Sequence, residues 1–284
     1  MAPDVHFLMP LKAPCVAGMH WPTTATLAVE SMVALLGQSD PRFTLHLLCH
    51  TPPDDLPAHA SLRVHVVTHP APPADADLAT RMRDKALKLA HGYQVIRDGM
   101  AQAGAFVVQA DADDFVHGEL TAVLLDGEPP QGRIFKSGLY YDAGLGRAWE
   151  IDRFHVLCGT CAAPFFAPGE IPDLADAVDQ DLAALGDRFW PLSIRHGDWV
   201  DRAAAAGRPL SPLPFPGAVY RINTGTNNHG PRRVRFRHRH PFFYRRFTDQ
   251  GGTTWVHQPD LARALAPFNA MPPGARGYRP SRGP

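Results

Sequence analysis

Residues Ala105-Phe-Val-Val-Gln-Ala-Asp-Ala-Asp-Asp-Phe-Val-His117 constrain this chain more than any other stretch. They open as a short apolar run, Phe106 to Val108, and close with Asp111, Asp113 and Asp114. An apolar run of this length between polar segments reads as a buried strand. Open α/β sheets bind their ligands outside the carboxyl ends of such strands. Three clustered carboxylates repel one another, so a cation is expected close by. A divalent metal with oxygen ligands is the simplest candidate, and the pattern predicts acids that hold a metal which in turn holds a diphosphate.

The chain ahead of these acids alternates strands and helices. Val5 to Met9 reads as a first buried strand, stopped by Pro10. Thr23 to Leu36 lacks Pro and Gly, carries Leu27, Ala34 and Leu35 at helical spacing, and ends at Gly37, a suitable C-terminal cap. Arg42 to Cys49 reads as a second strand, and Ser61 to Val67 alternates with period two, as a third strand should. Leu78, Met82, Ala86, Leu89, Tyr93, Ile96, Met100 and Ala103 then form one long helical stripe, with an interruption expected at Gly92. Arg81, Lys85 and Lys88 share a neighbouring stripe. A solvated face is the common fate of such residues; the alternative has them leaning toward phosphates bound at the acids.

Beyond His117 the pattern is less regular. Short strands are expected at Gly132 to Lys136, Phe154 to Cys158 and Ala218 to Ile222, a turn or hairpin at Tyr140 to Arg147, and a helix at Asp173 to Leu185. The 29 prolines cluster in segments that read as loops, Pro209 to Pro216 the longest. The length of 284 residues and a hydrophobic share of 45% suit one large α/β domain. Its expected parts are a nucleotide-binding half, residues 1–117, a half that shapes a substrate site, residues 118–268, and a disordered tail, residues 269–284.

Charges balance at 28 basic against 28 acidic residues, which gives no global reason to expect nucleic acid as a partner. No apolar run approaches the roughly 20 residues that span a bilayer, and Met1-Ala-Pro-Asp-Val does not resemble a secretory signal. A cytoplasmic protein is expected, with membrane contact at most peripheral, at the inner face. Four cysteines do not make a disulfide framework in a chain this long. Cys158-Gly-Thr-Cys161 has no second pair for zinc, and reads as two half-buried thiols in a loop.

The order of these parts resembles a GT-A-fold glycosyltransferase, most similar to family 2. The resemblance rests on Ser31 to Gln38 after the first strand, the basic helix from Arg81, the Asp111-Ala-Asp113-Asp114 motif, and Gly197-Asp-Trp-Val-Asp-Arg with Val219-Tyr-Arg221 downstream. It implies an α/β fold with a mixed central sheet flanked by helices. It also implies transfer of a sugar from a UDP- or GDP-sugar to a saccharide or lipid-linked acceptor, assisted by Mn²⁺ or Mg²⁺, with inversion. Asp113 would be the principal metal ligand, Asp111 would meet the ribose or the metal, and Asp114 would support the site. His229, in the loop Asn223 to Gly230, would complete the metal shell. Arg81 and Lys85 would face the diphosphate, and Pro10 and His50, at strand ends, the nucleoside. Asp198 would be the catalytic base, with His196 its competitor, although Gly197 stands where the family has Glu. Asp198 also suits the N-cap of a helix over Trp199 to Ala206.

Two alternatives stay open. An Asp-x-Asp after a strand is also the nucleophile motif of haloacid-dehalogenase-like phosphatases, with Asp111 and Asp113 as the pair. Phe115 and the motif's position deep in the chain depart from that pattern. A non-catalytic nucleotide-sugar-binding protein is the other. The basic run Arg232 to Arg246 offers a cationic edge for diphosphate, an anionic acceptor or lipid headgroups.

Overall fold

The computed structural model describes residues 3–16, 20–100, 102–126, 130–144, 146–193, 195–225, 254–256 and 258–270. His229, the basic run from Arg232 to Arg246 and all of the expected tail beyond residue 270 lie outside the described residues.

The first half builds an open, mostly parallel sheet. Strands β1 (Asp4–Pro10), β2 (Thr44–Cys49), β3 (Leu62–Val66) and β4 (Ala105–Gln109) run parallel in the order β4-β1-β2-β3, and β10 (Phe165–Phe166) joins antiparallel beside β4. Helix α1 (Trp21–Leu36) covers one face, packing Ala28, Met32 and Leu35 on Val5, Phe7, Leu45 and Leu47. Helix α2 (Leu78–Gly99) covers the other, packing Ala86, Leu89, Tyr93 and Ile96 on Leu8, Leu48 and Val107. Alternate residues of β1 and β2 thus serve opposite helices, as the pleat requires. The Asp77 carboxylate caps α2 by accepting from Thr80 N at 2.8 Å.

Gly92 does not interrupt α2. A Cβ at that position would stand 2.8 Å from Leu8 Cδ2 and 2.9 Å from Leu48 Cδ1, so the glycine marks where the helix approaches the sheet most closely. The helix ends at Gly99, short of Ala103.

A second sheet takes the order β13-β8-β7-β12-β5, from β5 (Phe115–Val116), β7 (Ser137–Asp142), β8 (Arg147–Asp152), β12 (Ala218–Ile222) and β13 (Thr254–Val256). Leu261 and Leu265 of helix α6 (Gln258–Leu265), with Phe268, fill its core against Leu139, Tyr141 and Val219. A small third sheet joins β11 (Ser211–Pro212), β6 (Arg133–Ile134) and β9 (Ala162–Ala163). The remaining helices are α3 (Leu120–Leu125), α4 (Leu182–Arg188) and α5 (Trp199–Ala205). The architecture is mixed α/β. Among the described residues, no helix is long and apolar enough to cross a membrane.

Three local expectations are corrected. Phe154 to Cys158 is not a strand; Phe154–Val156 forms a 3-10 turn, because Arg153 in the left-handed region (φ 59) turns the chain inward and buries Phe154. The helix expected over Asp173 to Leu185 is split into a 3-10 turn, Ala177–Asp179, and α4, separated by the extended backbone of Gln180 and restarted by the Asp181 cap on Ala184 N. The tail does not begin at residue 269: Asn269 Nδ2 donates to Gly37 O at 2.7 Å and Ala270 is buried.

A ladder of histidines crosses the α2 face of the first sheet. His6 Nδ1 lies 3.0 Å from His46 Nε2, His46 Nδ1 lies 3.0 Å from His65 Nε2, and the His91 ring meets His65 edge-on. Neutral rings satisfy such a chain, since each contact has one N–H and one bare nitrogen. Burial holds His46 down to about 3, and the neighbouring His6 and His65 add to it. Its folded value lies below the ordinary ~6.5, so this ring's contribution is complete above that pH and is lost as pH falls toward about 3. We expect the melting temperature to fall between about pH 7.5 and about pH 4.5, and to fall less in His46→Gln, which keeps an amide in the ladder. Parallel pH profiles of the two proteins would refute this.

Candidate functional site

The order of the parallel strands reverses between β1 and β4, because α1 leads from β1 to one side and β4 lies on the other. This is the switch point at which doubly wound sheets form their ligand crevice. Leu11 and Lys12 leave β1 there, and Ala110 and Asp111 leave β4. The acid turn closes through Asp114 N, which donates to Asp111 O at 3.0 Å. The chain then enters β5, whose Phe115 and Val116 pair with Val219 and Ala218 of β12. The acids therefore sit at the joint between the two larger sheets.

Asp114 is 2% exposed and fixes the turn. Its Oδ2 accepts from the Thr160 hydroxyl at 2.6 Å and the Cys158 thiol at 3.1 Å, and its Oδ1 accepts from Arg221 N at 3.3 Å. Thr160 Oγ1 in turn accepts from Asp111 N at 2.9 Å. Burial pushes the Asp114 carboxyl well above the usual range, with Asp113 and Asp111 adding to the rise. The Cys158-Gly-Thr-Cys161 loop is thus a brace for the acid turn. Its thiols are both buried, rather than half-buried as expected from the sequence.

Arg221 is the second brace. Its Nε donates to the carbonyl of Asp113, Nη1 to Glu30 Oε2 at 2.7 Å, and Nη2 to Leu27 O at 2.9 Å and Ser31 Oγ at 2.8 Å. Its guanidinium lies 4.1 Å from the Phe115 ring centre. One side chain thereby ties β12, α1 and the acid turn together.

Asp111 and Asp113 face the crevice in different electrostatic settings. Lys85 Nζ donates to Asp111 Oδ1. Burial would raise the Asp111 carboxyl, but the charge and hydrogen bond of Lys85, with Lys12 and His196, hold it below the usual range. Asp113 is raised, by burial first and by Asp111, against the opposing pull of Lys12 and Arg221. Burial also lowers Lys12, against the pull of Asp113 and Asp111. Gly159 passes directly over Asp111: an added Cβ would stand 2.9 Å from Asp111 Oδ2.

The basic stripe of α2 divides three ways. Lys85 reaches the acids. Arg81 folds back on its own helix, Nε donating to Asp77 O at 3.3 Å. Lys88, only 1% exposed, donates to Asp84 and to Leu11 O, so it belongs to neither a solvated face nor the acid turn.

Pro10 is a buried β1 residue in register with Leu48, part of the crevice wall. His50 donates through Nε2 to Asp84 Oδ1 at 2.7 Å. Asp198 does not cap α5. A 3-10 turn, His196–Asp198, precedes that helix, so the Asp198 backbone (φ −90, ψ −2) is already helical, where a cap needs it extended. His196 Nδ1 donates to His155 O at 2.9 Å, so Nε2 is the ring nitrogen outside that bond.

Sequence patterns alone did not point to Lys12, Gly159, Thr160, Glu30, His69 or Asp84. Lys12 had the clearest signal, as a lone cation directly after the first strand.

No known protein family and no curated protein matches this chain.

Removing the buried guanidinium should loosen the joint. Arg221→Met is expected to lower unfolding stability by roughly 3–5 kcal/mol in urea titrations, because it strands partners of a buried ion. Glu30→Gln, at a carboxylate 53% exposed, should lower it by less than about 1 kcal/mol. Equal effects would contradict Arg221's bracing role.

Proposed function

We propose that this protein is a glycosyltransferase of GT-A type, which moves a sugar from a UDP- or GDP-sugar to an acceptor hydroxyl with inversion. One observation carries the reading: the switch point between β1 and β4 presents two carboxylates, Asp111 and Asp113, together with two lysines, Lys12 and Lys85. A diphosphate held with a divalent cation needs both signs of charge side by side. The mixed sheet, with α1 and α2 on opposite faces and an antiparallel strand beside β4, agrees with the fold that the resemblance implies.

The donor set fits a hard cation. Asp113 fits better than Asp111, because its carboxyl is raised by burial and by Asp111, a burden that a bound dication removes, whereas Lys85 already holds Asp111. Mn²⁺ or Mg²⁺ on Asp113, with Asp111 behind it, would supply Lewis-acid stabilisation of the leaving diphosphate. His229, the third ligand implied by the resemblance, lies outside the described residues.

The chain's own residues then divide the work. Lys85 and Lys12 bind phosphate oxygens and hold Asp111 ionised. Asp114, Thr160 and Arg221 keep the acid turn in place without touching the donor. The proton of the attacking hydroxyl passes to Asp198, or to Nε2 of His196, the ring nitrogen outside the bond to His155 O.

Calorimetry with UDP- and GDP-sugars, with and without Mn²⁺, tests the donor site. Metal-dependent binding that is lost in Asp113→Ala and weakened by about tenfold or more in Lys85→Ala is the expected result. A wild-type protein that binds none of these donors ends the proposal, and a phospho-aspartate trapped at Asp111 would favour the phosphatase alternative.

A separate pair of variants assigns the base. Asp198→Asn should bind donor normally and lose transfer by about 100-fold or more. If Asp198→Asn transfers normally and His196→Gln does not, the base is His196.

A further inference from the structure

A second polar cluster lies along the same sheet edge, at the carboxyl ends of β2 and β3. His50 follows β2, His69 follows β3, and Asp84 lies on α2. Both imidazole Nε2 atoms converge on one oxygen: Asp84 Oδ1 is 2.7 Å from His50 Nε2 and 3.0 Å from His69 Nε2. The rings stand edge to face, 4.9 Å apart, and all three ligand atoms lie within 4.8 Å of one another. The side chains are 9–10% exposed, which leaves a narrow opening to solvent.

We propose that His50, His69 and Asp84 form a binding site for a nitrogen-preferring transition-metal dication of the Zn²⁺ class, separate from the carboxylates of the acid turn. Two imidazoles and one carboxylate are a donor set that suits such ions and leaves a coordination position open. The site does not rest on the glycosyltransferase reading, because it shares no ligand with Asp111 or Asp113.

The surroundings prepare each ligand. Asp84 is ionised: burial would raise its carboxyl, but the hydrogen bond from His69 and the charge of Lys88 lead the effects that hold it down to about 2. Burial pushes His50 below its ordinary value, against the raising pull of Asp84. Lys88 donates to the other oxygen, Asp84 Oδ2, and to Leu11 O, which orients the carboxylate from behind as outer partners of metal ligands do. Bonds of about 2.0–2.1 Å in a tetrahedral site set ligand atoms roughly 3.3 Å apart, so the present 2.7 and 3.0 Å separations need to open by only a few tenths of an ångström. For Nε2 of either ring to bind the ion, the hydrogen it donates to Asp84 must leave for Nδ1 or for solvent.

The test is titration of the full chain, stripped with chelator, with Zn²⁺ alone, read by calorimetry and by the rise in melting temperature. The expected result is about one equivalent bound in the absence of any nucleotide sugar. The His50→Gln and His69→Gln variants should lose more than the roughly 10–100-fold that an outer partner contributes. Asp113→Asn should bind as the parent does, and His69→Cys, which keeps a zinc-ligating atom, should recover binding. Circular dichroism of the metal-free variants controls for folding. Absence of Zn²⁺ binding, or unchanged affinity in the double variant His50→Gln/His69→Gln, would overturn the proposal.

Discussion

The carboxyl of Asp114 is nearly sealed from water, and its two oxygens are met by a hydroxyl, a thiol and a backbone N–H. These donors come from the loop before β9 and from β12, distant in sequence from the acid turn. A buried carboxyl left unmet is destabilising by several kcal/mol, so the three segments are required to stay together. The same contacts set the positions of Asp111 and Asp113, because the Thr160 hydroxyl that donates to Asp114 also accepts from Asp111 N. Arg221 repeats the arrangement on the other side, through the Asp113 carbonyl. The acid turn therefore takes its shape from tertiary bonds more than from its own residues.

Charge placement on α2 follows from where the helix begins. Its first turns overhang the carboxyl ends of β1, β2 and β4, so side chains there point over the crevice and those further along point into the core. Lys85 and Asp84 are sequence neighbours on different faces: one meets Asp111, the other meets His50, His69 and Lys88. A helix with no acid in its first turn and several bases repels cations on its own. Pairing each lysine with a carboxylate offsets part of that field, while Arg81 and Arg83 donate to backbone carbonyls.

Much of the first half was legible in the sequence because its signals are local. Strands β1 to β4 and helices α1 and α2 follow from apolar periodicity and caps, and their limits agree with the observed ones to within a few residues. The acid turn was legible for the same reason. What failed were readings that needed tertiary context. Gly92 looked like a break because a glycine lowers helix propensity, yet its missing side chain is what allows α2 to meet Leu8 and Leu48. Cys158-Gly-Thr-Cys161 looked idle because its role lies in contacts with residues more than 40 positions earlier. His69 and Asp84 carried no signal at all, since Pro-rich sequence separates them and only the fold of α2 over the sheet edge brings them to His50. The second half was least legible because its strands are two to six residues long and borrow their stability from neighbours.

The sheet thus has two donor sets of different hardness along one edge. The acid turn offers carboxylate oxygens only, and the edge beyond β2 offers two imidazole nitrogens and one carboxylate. Ligand type sorts metals more sharply than charge does: oxygen sets suit Mg²⁺ and Mn²⁺, and imidazoles draw Zn²⁺ and its neighbours. Proximity along the edge does not make the two sets interchangeable, because Lys88 and Lys85 stand beside them as fixed cations, each committed to one carboxylate. A dication entering at Asp113 meets Lys12 and Arg221 as nearby charges, whereas one entering at Asp84 meets Lys88 at the far oxygen. The two positions therefore differ in both the ion that their ligand types would suit and the charge that would oppose it, which is the physical ground for treating them as independent.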